Sequence, residues 1–272
     1  MNRPALKPGT EEIIEHFLAE KLRKIGARGY VLGLSGGIDS AVVLKLASKA
    51  VGKDKVLALM MPESDSPEKD LSDATMLCES EGVQNETIDI TDVVASFSSV
   101  LGTGVRKESL ANIKARCRMV VLYYYAAKDK RLVLGTSNKS ELLIGYFTKF
   151  GDGGADLEPI GDLYKTEVRQ MAELLGIPKK IITHTPSAGL WKGQTDEKEI
   201  GMSYEKLDAV LMGIELAQDD KTVARNSGVT IDEVKRISKM VKLSSHKRKL
   251  PPVVKIGLRT PGLDWRDGDE DI

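Results

Sequence analysis

The chain lacks the features that would place it in a membrane, outside the cell or on a nucleic acid. Its 272 residues include only two cysteines, Cys78 and Cys117, without CxxC spacing or a nearby histidine. That argues against a disulfide framework and a Cys-based zinc site, and for two reduced thiols in a cytoplasmic protein. No apolar run approaches the ~18 residues that cross a bilayer, and residues 1–9 lack the apolar core of an export signal. Neither sign of charge is in excess: 40 Lys and Arg face 40 Asp and Glu, so no global field draws the chain to nucleic acid or membrane. Internal repeats and low-complexity tracts are also missing. What is present, 41% hydrophobic and 29% charged residues, is ordinary for a globular protein of one large α/β domain.

Apolar spacing predicts a leading amphipathic helix over residues 11–24 and a buried strand over 30–34. A Gly/Ser turn then leads into a helix over 38–51. Further strands are expected over 56–61, 83–90 and 132–135, with helices from Ser66-Pro67 to residue 81, over 108–128, and from Lys139. Strands alternating with helices predict a parallel sheet covered on both faces, a Rossmann-type α/β fold. Ligands in such folds sit beyond the carboxyl ends of the strands, where residues 35–40 and 136–141 fall. The core is expected over roughly 26–185 and a helical part over 200–250, with helices at 204–216, 221–226 and 231–242. The polar stretch 191–199 reads as a mobile loop that closes over a nucleotide, and the acidic tail 264–272 as disordered.

Gly33-Leu34-Ser35-Gly36-Gly37-Ile38-Asp39-Ser40 lies between the first strand and its helix. Two adjacent glycines let successive N–H groups point into one concavity, and the helix start adds its positive end: an anion site suited to a phosphate chain. A Gly-Gly pair alone reads more readily as a plain turn with a serine helix cap. Kinase-type loops end Gly-Lys-Ser/Thr, whereas Asp39-Ser40 stands here. A carboxylate beside phosphates requires a bridging cation, so Asp39 reads as a Mg²⁺ ligand. Gripping the terminal phosphates as a leaving group suits attack at the α-phosphate.

This Ser-Gly-Gly-x-Asp-Ser loop resembles the pyrophosphate loop of the N-type ATP pyrophosphatases, which adenylate a carbonyl-type oxygen. Further segments resemble the NAD synthetase family within them, in its ammonia-dependent prokaryotic branch. These are Leu134 to Glu141, Gly145 to Asp156, Asn112 to Met119, Pro159 to Lys165, Thr185 to Leu190, and His246-Lys247. Together they span most of the chain between Gly33 and Lys247 in the family's order.

The resemblance implies ATP-dependent amidation of deamido-NAD with ammonia, giving NAD, AMP and pyrophosphate through an acyl-adenylate, in one domain over 1–272. It makes Glu141 the second Mg²⁺ ligand and places Thr136, Lys165 and Ser187 on ATP with the loop. Arg116, Lys149, Asp156, His246 and Lys247 match contacts to deamido-NAD, with Arg118 a bland companion of Arg116. It also implies a homodimer in which both subunits hold the dinucleotide and the 108–128 helix joins the contact. Taken alone, Lys165 and Glu141 would read as surface residues. Two departures stand out: Glu63-Ser64-Asp65 is more acidic than the family's adenine-side loop, so no ATP contact is assigned there, and Asn138-Lys139-Ser140 replaces the Asp-His-Ala of some members.

Residues 222–241 also resemble a helix-turn-helix, but Asp232-Glu233 would put carboxylates against DNA phosphates. A tRNA-modifying pyrophosphatase remains the nearer rival, although a neutral chain offers no basic RNA platform. GMP synthetase lacks the Gly151–Asp156 pattern. No nucleophilic cysteine of a glutaminase is evident, so free ammonium is the expected nitrogen source.

Overall fold

The computed structural model describes residues 3–261 apart from Thr103, Val105, Ala188, Leu190 and Lys192; the tail read as disordered lies outside the described residues. In chain order the first half contains α1 (Thr10–Ile25), β1 (Gly29–Gly33), α2 (Ile38–Val51), β2 (Val56–Met60), α3 (Glu68–Glu81), β3 (Gln84–Thr87), α4 (Thr91–Leu101) and α5 (Lys107–Asp129). The second half contains β4 (Arg131–Leu134), α6 (Lys139–Ile144), α7 (Lys165–Leu174), α8 (Lys179–Ile182) and α9 (Asp196–Ile200). It ends with α10 (Tyr204–Glu215), α11 (Asp220–Ser227) and α12 (Ile231–Leu243).

The four strands are parallel in the order β3-β2-β1-β4, with Val31 beside Leu57 on one side and Val133 on the other. Both faces of the sheet are covered, which is why β1 and β2 are near-continuous apolar runs. Side chains alternate between the two faces. Tyr30, Leu32, Ala58 and Met60 pack with α1, α2, α3 and α7, while Val31, Leu57, Leu59 and Val133 pack with α4 and α5. A third core, including Ile144, Tyr204, Leu207, Val223, Val234 and Ile237, knits α6 to α10, α11 and α12.

The strand expected over 83–90 is confined to Gln84–Thr87, a polar edge. Ile90 is buried and instead sits at the cap of α4, whose first free N–H, from Thr91, is accepted by Asp89 at 2.7 Å. The loop expected over 191–199 is half helical. Thr195 takes the cap position, acidic residues fill the first turn of α9, and Gly201 ends it in the left-handed region.

Candidate active site

Chain order reverses at β1, which lies between β2 and β4, so the crevice past the carboxyl ends of β1 and β4 is the switch point of this sheet. A pocket of about 500 Å³ opens there. The β1–α2 turn forms one wall. Gly36 has φ +83, and a Cβ on it would stand 2.3 Å from the Asp70 carbonyl oxygen, so the turn admits glycine alone. Ser40 braces the turn: its hydroxyl donates to the Gly37 carbonyl (3.0 Å) and accepts from the Ser35 N–H (3.2 Å). No side chain caps the start of α2, which leaves its first N–H groups for a ligand.

Three charged side chains from three helices meet on the pocket wall. Asp39 comes from the first turn of α2, Glu141 from α6, and Lys165 is the first residue of α7. The Lys165 ammonium donates to Asp39 Oδ2 and lies 3.4 Å from Glu141 Oε1. Asn138 organises the pair. Its amide donates to Asp39 Oδ1 (3.0 Å), and it forms a reciprocal capping box with Glu141 at the head of α6. Tyr204, wholly buried, brings its hydroxyl to 3.3 Å from Glu141 Oε1 and 3.2 Å from Asp196 Oδ2. Tyr146 reaches Asp196 at 3.1 Å and Glu199 at 2.6 Å.

Acid outnumbers base in this cluster. Burial raises the pKa of the Glu141 carboxyl, with Lys165 opposing and Asp39 and Asp196 reinforcing the rise. Burial alone would depress the Lys165 ammonium, but the Asp39 and Glu141 carboxylates outweigh it and its pKa lies above the usual lysine value. Burial likewise raises Asp196.

Of the residues expected on ATP, Gly33, Leu34, Ser35, Gly37, Ile38, Asp39, Thr136, Lys165 and Ser187 line the pocket; Gly36 and Ser40 do not, though Ser40 braces the turn. The dinucleotide set is divided. Lys247 enters the pocket, donating to the carbonyls of Gly145 and Phe147 at 2.7 Å each. Arg116, Lys149 and His246 lie outside it in a chain: Arg116 donates to the Lys149 carbonyl (3.2 Å) and Lys149 to the His246 carbonyl (2.8 Å). Asp156 sits apart, accepting from Tyr123 (3.1 Å) and the Val133 N–H (2.8 Å).

Arg118, expected to be bland, lines the pocket and donates to the Met61 carbonyl at 3.0 Å. Lys114, one turn earlier, is buried and grips Glu63 (2.7 Å) and Asp65 (3.2 Å). The acidic departure after β2 is thus partly offset by Lys114, and α5 holds that loop at two points. The i, i+4 spacing of Lys114 and Arg118 was the available signal. Asp196 and Glu199 also line the pocket, and their spacing of three within a capped turn could have marked them. Burial pushes the Cys78 thiol up to about 11 and raises Cys117, so both stay protonated. Among the described residues no helix is long and apolar enough to cross a membrane.

Comparison with known proteins covers the same stretch of chain. The family model for NAD synthase matches residues 11–251. The NH(3)-dependent NAD(+) synthetase of Thermococcus kodakarensis is 48% identical over 241 residues, covering 88% of this chain and 94% of that protein. Among solved structures, NMN synthetase from Francisella tularensis superposes with a TM-score of 0.82 at 36% identity, covering 91% of this chain and 98% of that one. NH3-dependent NAD synthetase from Campylobacter jejuni, in complex with nitrate, gives 0.77 at 34%, covering 90% and 98%. With nearly its whole folded length matched, from the β1–α2 turn through the helices that bury Tyr204, this chain belongs to the NAD synthase family.

Proposed function

We propose that this chain is a carbon–nitrogen ligase that amidates deamido-NAD with ammonia at the expense of ATP, giving NAD, AMP and pyrophosphate. The observation that carries the reading is the Lys165 ammonium drawn between Asp39 and Glu141 beside an uncapped Gly-Gly turn. ATP lays its β- and γ-phosphates against the N–H groups of residues 35–40, with Lys165 on phosphate oxygen and Thr136 and Ser187 on the nucleotide. The surplus of buried carboxylate over the single lysine fits a divalent cation, and Asp39 and Glu141 are the residues that would hold Mg²⁺. When bound, that ion supplies neutralising charge to the polyphosphate.

A carboxylate oxygen of the nicotinate ring attacks the α-phosphorus, and the bond from that phosphorus to the bridging oxygen of pyrophosphate breaks. Pyrophosphate leaves with the electron pair into the β1–α2 turn, where N–H dipoles and Lys165 offset its charge. The acyl-adenylate has lost the negative charge that made the carboxylate a poor electrophile. Ammonia attacks its carbonyl carbon, AMP departs with the bonding pair, and the nitrogen yields a proton to solvent. Holding the reactants aligned accounts for much of the rate.

Lys247 binds the dinucleotide inside the pocket, and Arg116, Lys149, Asp156 and His246 serve it from outside. Their position supports a homodimer in which a partner copy carries the far end of the ligand. Exposed apolar side chains on α4 and α5, including Phe97, Val100, Val120 and Tyr124, support the same assembly. The pocket draws residues from the sheet and from the helical part, which supports one functional unit.

The test supplies purified protein with ATP, Mg²⁺, deamido-NAD and ammonium. NAD, AMP and pyrophosphate should form in equal amounts, and glutamine as sole nitrogen source should give no turnover. ADP and orthophosphate as products, or equal turnover with glutamine, would overturn the reading. Nicotinic acid mononucleotide in place of the dinucleotide probes the activity that names the Francisella structure.

A further inference from the structure

Among the described residues, Asp208 is the most deeply buried carboxylate that the reaction does not use. It lies on α10, is 0% exposed, and is absent from the pocket wall. Burying a carboxylate costs several kcal/mol unless it is fully hydrogen-bonded, so its bonds point to what it does. Oδ2 accepts from the Thr166 N–H at 2.8 Å, and Oδ1 accepts from the Ser140 hydroxyl at 2.5 Å. The Ser140 oxygen in turn accepts from the Lys165 N–H at 3.0 Å.

Lys165 and Thr166 are the first two residues of α7, whose opening N–H groups have no partner within the helix. Tyr164, at the cap position, offers them no side-chain acceptor. Its own N–H is taken by Glu167 at 2.9 Å, and the Glu167 N–H goes back to the Tyr164 carbonyl at 2.9 Å. The two remaining donors are therefore satisfied from elsewhere, one by α10 and one by α6. Asp208 and Ser140 together form a helix cap assembled from two other helices. The negative charge also lies at the positive end of α7.

We propose that Asp208 is a positioning residue: through this two-part cap it sets where Lys165 enters the pocket, and through Ser140 it ties α7 to the helix that carries Glu141. The inference rests on the proposed role of Lys165 with ATP. Its consequence is that the helical part, which contributes α10, governs the geometry of the phosphate side of the site.

Asp208→Asn retains an acceptor for the Thr166 N–H but reverses the bond to Ser140, and Asp208→Leu removes both. Ser140→Ala frees the Lys165 N–H and takes the hydroxyl donor from Asp208 Oδ1, leaving the Thr166 bond in place. Each is compared with wild type per folded molecule. We expect kcat to fall and the KM for ATP to rise, together lowering kcat/KM about 10- to 100-fold. The KM for deamido-NAD should stay within about twofold. The losses should rank Leu above Asn, so that the conservative replacement rescues part of the activity. Removing a buried charge can raise stability, so activity should fall whichever way Tm moves. Ser227→Ala, which deletes a buried bond to the Val223 carbonyl in the same lobe (2.7 Å), should lower Tm without touching the KM for ATP.

Hydrogen exchange reads the cap without turnover: it should quicken at the Thr166 amide in Asp208→Leu and at the Lys165 amide in Ser140→Ala, with Asp208→Asn between Asp208→Leu and wild type. Wild-type kinetics in Asp208→Leu, or unchanged exchange at these amides, would overturn the positioning role. Failure of wild type itself to form NAD would sink the functional reading instead, leaving the exchange rates to decide the cap.

Discussion

Replacing Gly36 by alanine tests whether the β1–α2 turn is a phosphate cradle with exacting geometry. The residue has φ +83, and its added Cβ would lie 2.3 Å from the Asp70 carbonyl oxygen and 2.9 Å from the Asp70 carbonyl carbon. An ordinary contact begins near 3.4 Å, so one backbone must recede from the other by about 1.1 Å. Neither is the end of a flexible side chain, and α3 is packed against the core through Ala74 and Leu77. The turn therefore yields. A displacement of about 1 Å in a group that positions a reactant costs on the order of 10²-fold in rate. The left-handed backbone adds about 1–2 kcal/mol of destabilisation for alanine, a loss of a few °C in Tm. Gly26→Ala is the control: its φ is +72, but nothing lies within 4 Å of the added atom. It should lower Tm similarly and leave the rate alone. Pyrophosphate release at varied ATP gives kcat/KM for each variant. A Gly36→Ala enzyme within a few-fold of the control would show that the turn does not cradle the phosphates.

Asp39→Ala and Glu141→Ala should each abolish deamido-NAD-dependent AMP formation while leaving the circular dichroism spectrum and cooperative melting intact; normal turnover in Glu141→Ala removes it from the metal site. Lys114→Met leaves the Glu63 carboxylate without its cation, held only by the Ser64 hydroxyl and the Asp65 N–H, and should cost about 1.5–3 kcal/mol; Lys114→Met with Glu63→Gln should recover much of the lost Tm. Burial pushes Glu158 from 4.5 up to about 8, so the folded state holds that proton more tightly than the unfolded chain. Its stabilising effect is complete below the unfolded pKa and is lost as pH rises toward the folded value. Glu158→Gln, which keeps an acceptor for the Ser137 N–H, should flatten the decline of Tm across that interval. Sedimentation should show a dimer, and a fully active monomer would refute the shared-ligand arrangement.

The parts of the site that could be read from the sequence are those set by local chemistry. The β1–α2 turn follows from adjacent glycines after an apolar strand, whereas Glu141, like Lys165, reads alone as a surface residue and is singled out only by the family resemblance. Lys165 was hidden for a physical reason: in sequence it opens a helix as a surface lysine would, and only the fold brings Asp39 from 126 residues away to meet it. Arg116 and Arg118 show the limit more sharply. Two residues apart on one helix they face different ways, and the sequence does not say which face meets the pocket. It is Arg118 that lines it. The cap of α7 was beyond reach, because its acceptors come from α6 and α10 rather than from the residue that precedes the helix.

The polar edge strand has a bearing on how the protein behaves when crowded. A parallel sheet ends in rows of unpaired N–H and C=O groups, and a long apolar edge recruits strands from other molecules. Here β3 runs only four residues, Gln84–Thr87, with Gln84 and Thr87 exposed and Glu86 accepting a hydrogen bond from Tyr125 at 2.5 Å. At the opposite edge, Gly135 donates to the Leu157 carbonyl at 2.8 Å and the Val133 carbonyl accepts from Asp156 at 3.0 Å, so the flank of β4 is already occupied by the chain itself. The strongly apolar β1 and β2 are thus enclosed between one edge too polar to propagate and one already filled. Concentrated enzyme should form helix-mediated oligomers of fixed size in preference to growing fibres.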